Sequence, residues 1–208
     1  MDRSVVDRPA RDRSVREAVV LDIAVIIAST REGGFGAAVG RWFLEQTARR
    51  ADLTVDVIAL GRTALPPLQP ACSGDTGDEA RELAARIGAA DGFVVITPEY
   101  NHAYPAALKL AIDAVRHEWA AKPVGFVSYG GRSGGLRAVE QLRLVFAELH
   151  VVSLRDTVSF HQADGHFDAA GRPVEPDGVN GAAKVMLDQL TWWATTLREG
   201  RAARPYVR

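Results

Sequence analysis

The strongest constraint on this chain is a regular alternation. Short apolar runs are each closed by a polar or glycine-rich loop and followed by a stretch of helical period. LDIAVIIAS, beginning at Leu21, is rich in β-branched residues, as expected of a strand covered on both faces. Val39, Trp42, Phe43 and Gln46 then fall at helical spacing. Residues 53–60 read as a second, more amphipathic strand, followed by the loop LPPLQPACSGDTG and a helix carrying Leu83, Ala84 and Ile87. Residues 93–97 form the third run, and Pro105 starts a helix marked by Leu108, Ala111, Ile112 and Val115. Residues 124–128 form the fourth, before Leu142, Val145, Phe146 and Leu149 on one helical face. A weaker fifth strand spans 151–158, and Met186, Leu190, Trp193 and Leu197 mark the last helix.

Such alternation requires right-handed crossovers, and therefore a parallel sheet with helices on both faces. Five strands suit a flavodoxin-like three-layer sandwich, α/β in class, with a five-stranded parallel sheet of order 2-1-3-4-5. A length of 208 residues at 47% hydrophobic fits one domain. Residues 1–18 are polar and aperiodic and read as a flexible arm, leaving 19–208 as the folded unit.

Composition excludes several functions. The 25 basic and 26 acidic residues leave a net charge of −1, with no electrostatic footprint for nucleic acid or an anionic membrane. The single cysteine, Cys72, permits no intrachain disulfide and no multi-cysteine metal site, which fits a reducing compartment. The N-terminus lacks an apolar signal core, and no apolar run approaches the roughly 20 residues of a membrane span, so a cytoplasmic location is expected.

In an open parallel sheet, ligands bind beyond the carboxyl ends of the strands, where strand order reverses. Three loops lie there. ASTREGGFGAAV offers the Ser29 and Thr30 hydroxyls, the Arg31 guanidinium, and Gly33, Gly34 and Gly36 leading into a helix. These are phosphate-binding parts, since free amides at a helix start, the helix dipole and a bidentate arginine all favour a dianion. The loop has neither the lysine of GxxxxGK[ST] nor the pattern GxGxxG, which speaks against triphosphates and Rossmann dinucleotides. Its plain alternative is an ordinary strand-to-helix turn.

TPEYNHAYP suits a flat heteroaromatic ring, with proline restricting the chain, Asn101 and nearby amides available to ring polar atoms, and Tyr100 and His102 as flanks. The alternative is a helix-entry loop with Tyr100 in a subunit contact. SYGGRSGG lets backbone pass close to a ligand edge, with Ser133 a candidate cap for the next helix.

Taken together, these residues resemble the NADPH-dependent FMN reductase family, a flavodoxin-like group that includes azobenzene and quinone reductases. The resemblance covers about residues 21–155 and is most specific in ITPEYNHAYPAALKLAID, which looks like the family's TPEYN-x-x-x-P-x-x-LK-x-A-ID signature. It departs at Leu110, where asparagine is common, and at His102, where glycine is often seen. The resemblance implies Ser29 and Arg31 on the FMN phosphate with amides near Phe35 and Gly36 assisting. It implies Pro98, Glu99, Tyr100 and Asn101 along the isoalloxazine ring, with Ser128, Gly130 and Gly131 at its other edge. It further implies an enzyme passing a hydride from NADPH to FMN and on to a quinone, azo, flavin or similar acceptor by ping-pong turnover, in a homodimer or homotetramer. No side-chain catalytic group is required, because the flavin carries the chemistry. Other readings are an electron carrier of the flavodoxin kind, whose docking surface is usually acidic, and a flavin-binding sensor.

Outside these loops, His161, Asp164, His166 and Asp168 crowd one segment without zinc-type spacing. Arg132 and Arg137 are candidates for the 2′-phosphate of NADPH, with solvated surface arginines as the alternative. Trp119, Trp192 and Trp193 read as core or subunit-contact residues.

Overall fold

A computed structural model describes residues 19–31, 33–63, 65 and 77–207. The N-terminal arm and Cys72 lie outside the described residues. In chain order the elements are β1 (Leu21–Ile27), α1 (Phe35–Thr47), β2 (Leu53–Ala59), α2 (Asp78–Ala89), β3 (Gly92–Pro98) and α3 (Ala106–Asp113). They continue as β4 (Pro123–Tyr129), α4 (Leu136–Glu148), β5 (Val152–Ser153), β6 (Val158–Phe160) and α5 (Pro176–Ala203).

Every pairing in the sheet is parallel, in the order β2-β1-β3-β4-β5, with β6 also on β4. The switch point falls between β1 and β3, as expected of the flavodoxin-like order. Strand period divides the apolar residues between two cores. Ala24, Ile26, Phe93, Val95, Val124 and Phe126 face Leu83, Ile87, Leu108, Ile112, Leu142 and Phe146, which belong to α2, α3 and α4. Ile23, Val25, Val94, Ile96 and Val127 face Val39, Trp42, Phe43, Met186 and Leu190 of α1 and α5. Each fully buried Val, Leu, Ile or Phe contributes about 1.5–3 kcal/mol, so both faces of β1, β3 and β4 are strongly fixed.

The fifth strand differs from the sequence expectation. Residues 151–158 do not form one strand, because β5 and β6 pair with β4 in succession while the chain between them leaves the ladder. The Arg143 guanidinium of α4 donates to the carbonyls of Leu154 (2.5 Å) and Arg155 (3.1 Å), satisfying backbone acceptors that a continuous strand would have paired. At the opposite edge, Arg86 of α2 clasps Asp56 and donates to the Val57 carbonyl at 2.8 Å. Helix α3 also stops at Asp113, two residues before Val115, which is buried as expected but lies beyond the helix. Among the described residues, no helix is long and apolar enough to cross a membrane.

Candidate functional site

The loop after β1 begins as an extension of the sheet, with Ala28 donating its amide to Ile96 O at 2.9 Å. Ser29 follows, half-buried, and its Oγ accepts the Arg31 amide at 3.4 Å. Helix α1 then starts from Gly34 with no side-chain cap and no acidic residue in its first turn. Its leading N–H groups and dipole are thus left for an external acceptor. Gly36 forms the floor, where an added Cβ would stand 3.0 Å from Ser29 Cβ and within contact distance of the Tyr129 hydroxyl. Arg31 is exposed, has no ion pair among the described residues, and holds its guanidinium 4.6 Å from the Tyr100 ring centroid. This cation–π contact joins the first loop to the second.

The loop after β3 turns sharply. Tyr100 and Ala103 exchange backbone hydrogen bonds of 2.8 and 3.1 Å around Asn101 (φ 50°) and His102 (φ 73°). Two consecutive positive φ angles are the mark of a type I′ turn, a conformation asparagine tolerates and glycine prefers. His102 adopts it at a cost, and Gln141 of α4 donates to its carbonyl at 2.8 Å. Pro98 is buried, whereas Asn101 and His102 are exposed.

The loop after β4 is tied on two sides. Ser128 Oγ and Ser159 Oγ both donate to the Gly134 carbonyl at 2.8 Å. Gly130 N donates to Phe160 O, while the amides of Gln162 and Ala163 donate to the carbonyls of Gly131 and Gly130 at 2.7 and 3.1 Å. Nothing lies within 4 Å of a Cβ placed on Gly131, so that backbone faces open space.

Glu99 bridges two of these loops. Its side chain is only 7% exposed, and its carboxylate accepts Ser133 Oγ at 2.6 Å together with the amide and guanidinium of Arg137, each at 3.2 Å. Arg137 is the second residue of α4, so Glu99 provides the N-terminal capping that Ser133 was expected to supply. Ser133 fails as the cap because Gly135, in the left-handed conformation at φ 84°, occupies the cap position and turns the chain first.

All eleven residues expected from the sequence thus lie at the carboxyl end of the sheet, seven on the three loops, Pro98 and Ser128 at the ends of β3 and β4, and Phe35 and Gly36 in the first turn of α1. Two of them have their side chains engaged inward: Ser128 on Gly134, and Glu99 on α4. Sequence reasoning missed Tyr129, the last residue of β4, which is 6% exposed beneath the first loop with its ring 5.6 Å from that of Phe35. Burial pushes its phenol up to about 12, against the opposing influence of the Ser29 hydroxyl. The available signal was a hydroxyl-bearing aromatic closing an otherwise apolar strand. Also missed was Phe167, whose ring packs edge-on against Phe35 at 5.0 Å and brings the 161–173 segment over the first loop.

The remaining candidates have structural partners. His161 Nδ1 meets Arg132 O at 3.0 Å, His166 packs on Phe160, and Asp168 accepts the amides of Ala170 and Arg172 and the Arg172 guanidinium. Among the described residues, no group of three or more His, Cys, Asp or Glu is placed to hold a metal. Arg137 is held by Glu99, and Arg132 is exposed. Trp119 is buried between Phe93 and Phe146, whereas Trp192 is 60% exposed.

This strand order, with its loops gathered over the β1/β3 switch point, defines a flavodoxin-like α/β protein. Residues 21–165 match the sequence model of the NADPH-dependent FMN reductase family, and the chain belongs to that family. The chain spans between half and two thirds of the length of two NAD(P)H-dependent FMN reductases that it matches. An NAD(P)H-dependent FMN reductase of Schizosaccharomyces pombe is 36% identical over 119 residues, 54% of this chain and 60% of the relative. A 2-hydroxy-1,4-benzoquinone reductase of a Burkholderia species is 28% identical over 192 residues, 86% of this chain and the whole of the relative. The flavoenzyme NAD(P)H:(acceptor) oxidoreductase of Paracoccus denitrificans superposes with a TM-score of 0.69 at 21% identity, over 85% of this chain and 98% of that one, and shows the shared fold.

Proposed function

We propose that the three loops hold FMN and that the protein passes electrons from NADPH to a small acceptor of the quinone, azo or flavin type. The observation that carries this reading is the start of α1. An uncapped helix N-terminus without acidic residues lies beside a serine hydroxyl and an arginine free of ion pairs among the described residues, over a glycine floor. That donor set fits a phosphate dianion, in both charge and hydrogen-bonding capacity.

On this reading Ser29, Arg31 and the amides of Phe35 and Gly36 hold the phosphate. Pro98, the backbone of Glu99, Tyr100 and Asn101 line the ring, and Gly130 and Gly131 approach its far edge. Ser128 and the Glu99 carboxylate keep the second and third loops in register. Bound FMN supplies the two-electron chemistry, and no side chain is required as nucleophile or as general acid or base. The exposed turn at Asn101 and His102 borders one opening, which donor and acceptor use in turn. Parallel double-reciprocal plots support that order, and intersecting ones oppose it.

The net charge of −1 argues against a carrier that docks through an acidic face. A homodimer or homotetramer belongs to the same reading, with the exposed Trp192 available for contact. The test is to saturate the protein with FMN, add NADPH without oxygen and follow the flavin absorbance, then add benzoquinone. Bleaching followed by recovery supports an enzyme. Stable colour with NADPH, or no uptake of FMN, overturns the reading.

A further inference from the structure

Next to Gly131 on the third loop, Arg132 borders an open cleft of about 640 Å³ that FMN, as placed above, leaves unused. The cleft is lined by Arg132, His161, Gln162, Gly165 and His166, with no aspartate or glutamate among the described residues around it. Asp164, the acid nearest in sequence, borders the groove beside Gly33 and Phe35 instead. In a chain with 26 acidic residues and a net charge of −1, a cleft of one arginine and two histidines without a counter-charge favours an anion.

Backbone contacts fix the frame of this cleft. His161 Nδ1 donates to the Arg132 carbonyl at 3.0 Å, and its ring lies so close to Gly134 that a Cβ there would stand 2.7 Å from His161 Cδ2. The Gln162 amide donates to the Gly131 carbonyl at 2.7 Å, with Gln162 at φ 46°, a conformation that in a non-glycine residue tends to mark ligand sites. The Arg132 guanidinium and the Gln162 side chain, by contrast, have no hydrogen bond or ion pair among the described residues. Arg137, the other arginine near this loop, is held by Glu99. That difference separates two arginines of equal standing in the sequence.

We propose that Arg132 and its cleft take the 2′-phosphate of NADPH, so that Arg132 sets a preference for NADPH over NADH. A planar guanidinium presents paired donors to phosphate oxygens, the Gln162 amide adds a neutral donor, and NADH brings no such group. The cleft adjoins Gly131, whose backbone faces open space at the edge assigned above to the ring, so the two ends of the electron donor have neighbouring places.

The inference rests on the reading of the protein as an NAD(P)H oxidoreductase, and two measurements on the FMN-saturated protein separate them. Calorimetric titration compares adenosine 2′,5′-bisphosphate with adenosine 5′-monophosphate. Steady-state assays with benzoquinone as acceptor give KM and kcat for NADPH and for NADH. Both are made on the wild type, Arg132→Ala and Arg132→Lys, with thermal melts to check folding. The wild type should bind the bisphosphate more tightly and use NADPH at the lower KM. In Arg132→Ala the bisphosphate should weaken about tenfold, the scale of a hydrogen bond between charged groups, and the KM for NADPH should rise by the same factor. The KM for NADH and both kcat values should not change. Arg132→Lys, which keeps the charge but not the paired donors, should fall between. Equal weakening for both nucleotides, an unchanged KM for NADPH, or a wild type that does not distinguish them overturns the proposal. If neither NADPH nor NADH reduces the flavin, the oxidoreductase reading fails, while the titration still decides the anion site.

Discussion

Ser133 donates its hydroxyl to the Glu99 carboxylate at 2.6 Å, which locks the loop after β4 to the loop after β3. The same carboxylate receives the Arg137 amide, so one nearly buried acid also caps α4. Removing it leaves a hydroxyl and a helix N–H without their acceptor. Glu99→Ala is therefore expected to cost about 2 kcal/mol, counting the hydrogen bonds and discounting the half-exposed arginine. At this chain length that is roughly 6 °C in Tm. Glu99→Gln should recover part of the loss, and differential scanning calorimetry measures both.

The turn at Asn101 and His102 predicts the opposite sign. A non-glycine residue in the left-handed region costs roughly 1–2 kcal/mol, and glycine returns part of that gain as chain entropy. His102→Gly should therefore raise stability by about 0.5–1 kcal/mol, read as a higher urea midpoint at unchanged slope. A lowered midpoint would mean that the imidazole supplies compensating contacts.

Gly135 holds φ 84°, and a Cβ there would stand 2.7 Å from Ser128 Cβ and 2.9 Å from the Tyr129 amide. The second of these neighbours is backbone at the end of a central strand and cannot retreat. Gly135→Ala is expected to lose more than about 2 kcal/mol and to disturb the Ser128 to Gly134 bond. Urea denaturation and the flavin content after purification report the two effects.

Far from the site, Lys122 is 6% exposed and donates to the carbonyls of Ile87 and Gly88 at the end of α2. Burial, with a smaller push from Arg201, lowers its ammonium from 10.5 to about 8. The folded state thus binds this proton less tightly than the unfolded chain. The contribution of Lys122 to stability is fully present above pH 10.5, falls as pH drops towards 8, and is constant below that. Relative to Lys122→Met, whose side chain does not titrate, the wild type should lose stability between these limits as pH is lowered. Paired urea melts at several pH values across the window check the sign.

The central sheet was legible because β1, β3 and β4 are buried on both faces, and such strands must be apolar at nearly every position. The three loops were legible for a related reason, since glycines, hydroxyls and an arginine in strand-ending loops have few structural uses. What stayed hidden depends on partners distant in sequence. The break between β5 and β6 is set by Arg143 from α4, and the cap of α4 by Glu99, separated from Ser133 by 34 positions. The contact of Tyr129 with Phe35 joins the end of β4 to the start of α1. No local period or motif encodes these contacts, because each arises only when separate elements are brought together.

The two arginines at the margins of the sheet also bear on how the protein behaves when crowded. An outer strand with free carbonyls is a template on which another chain can add. Arg86 occupies one such carbonyl on β2, and Arg143 folds the opposite margin into two fragments too short to recruit a neighbour. The same side chains that finish the fold therefore act as gatekeepers against fibril-like stacking of a sheet whose interior is almost wholly apolar.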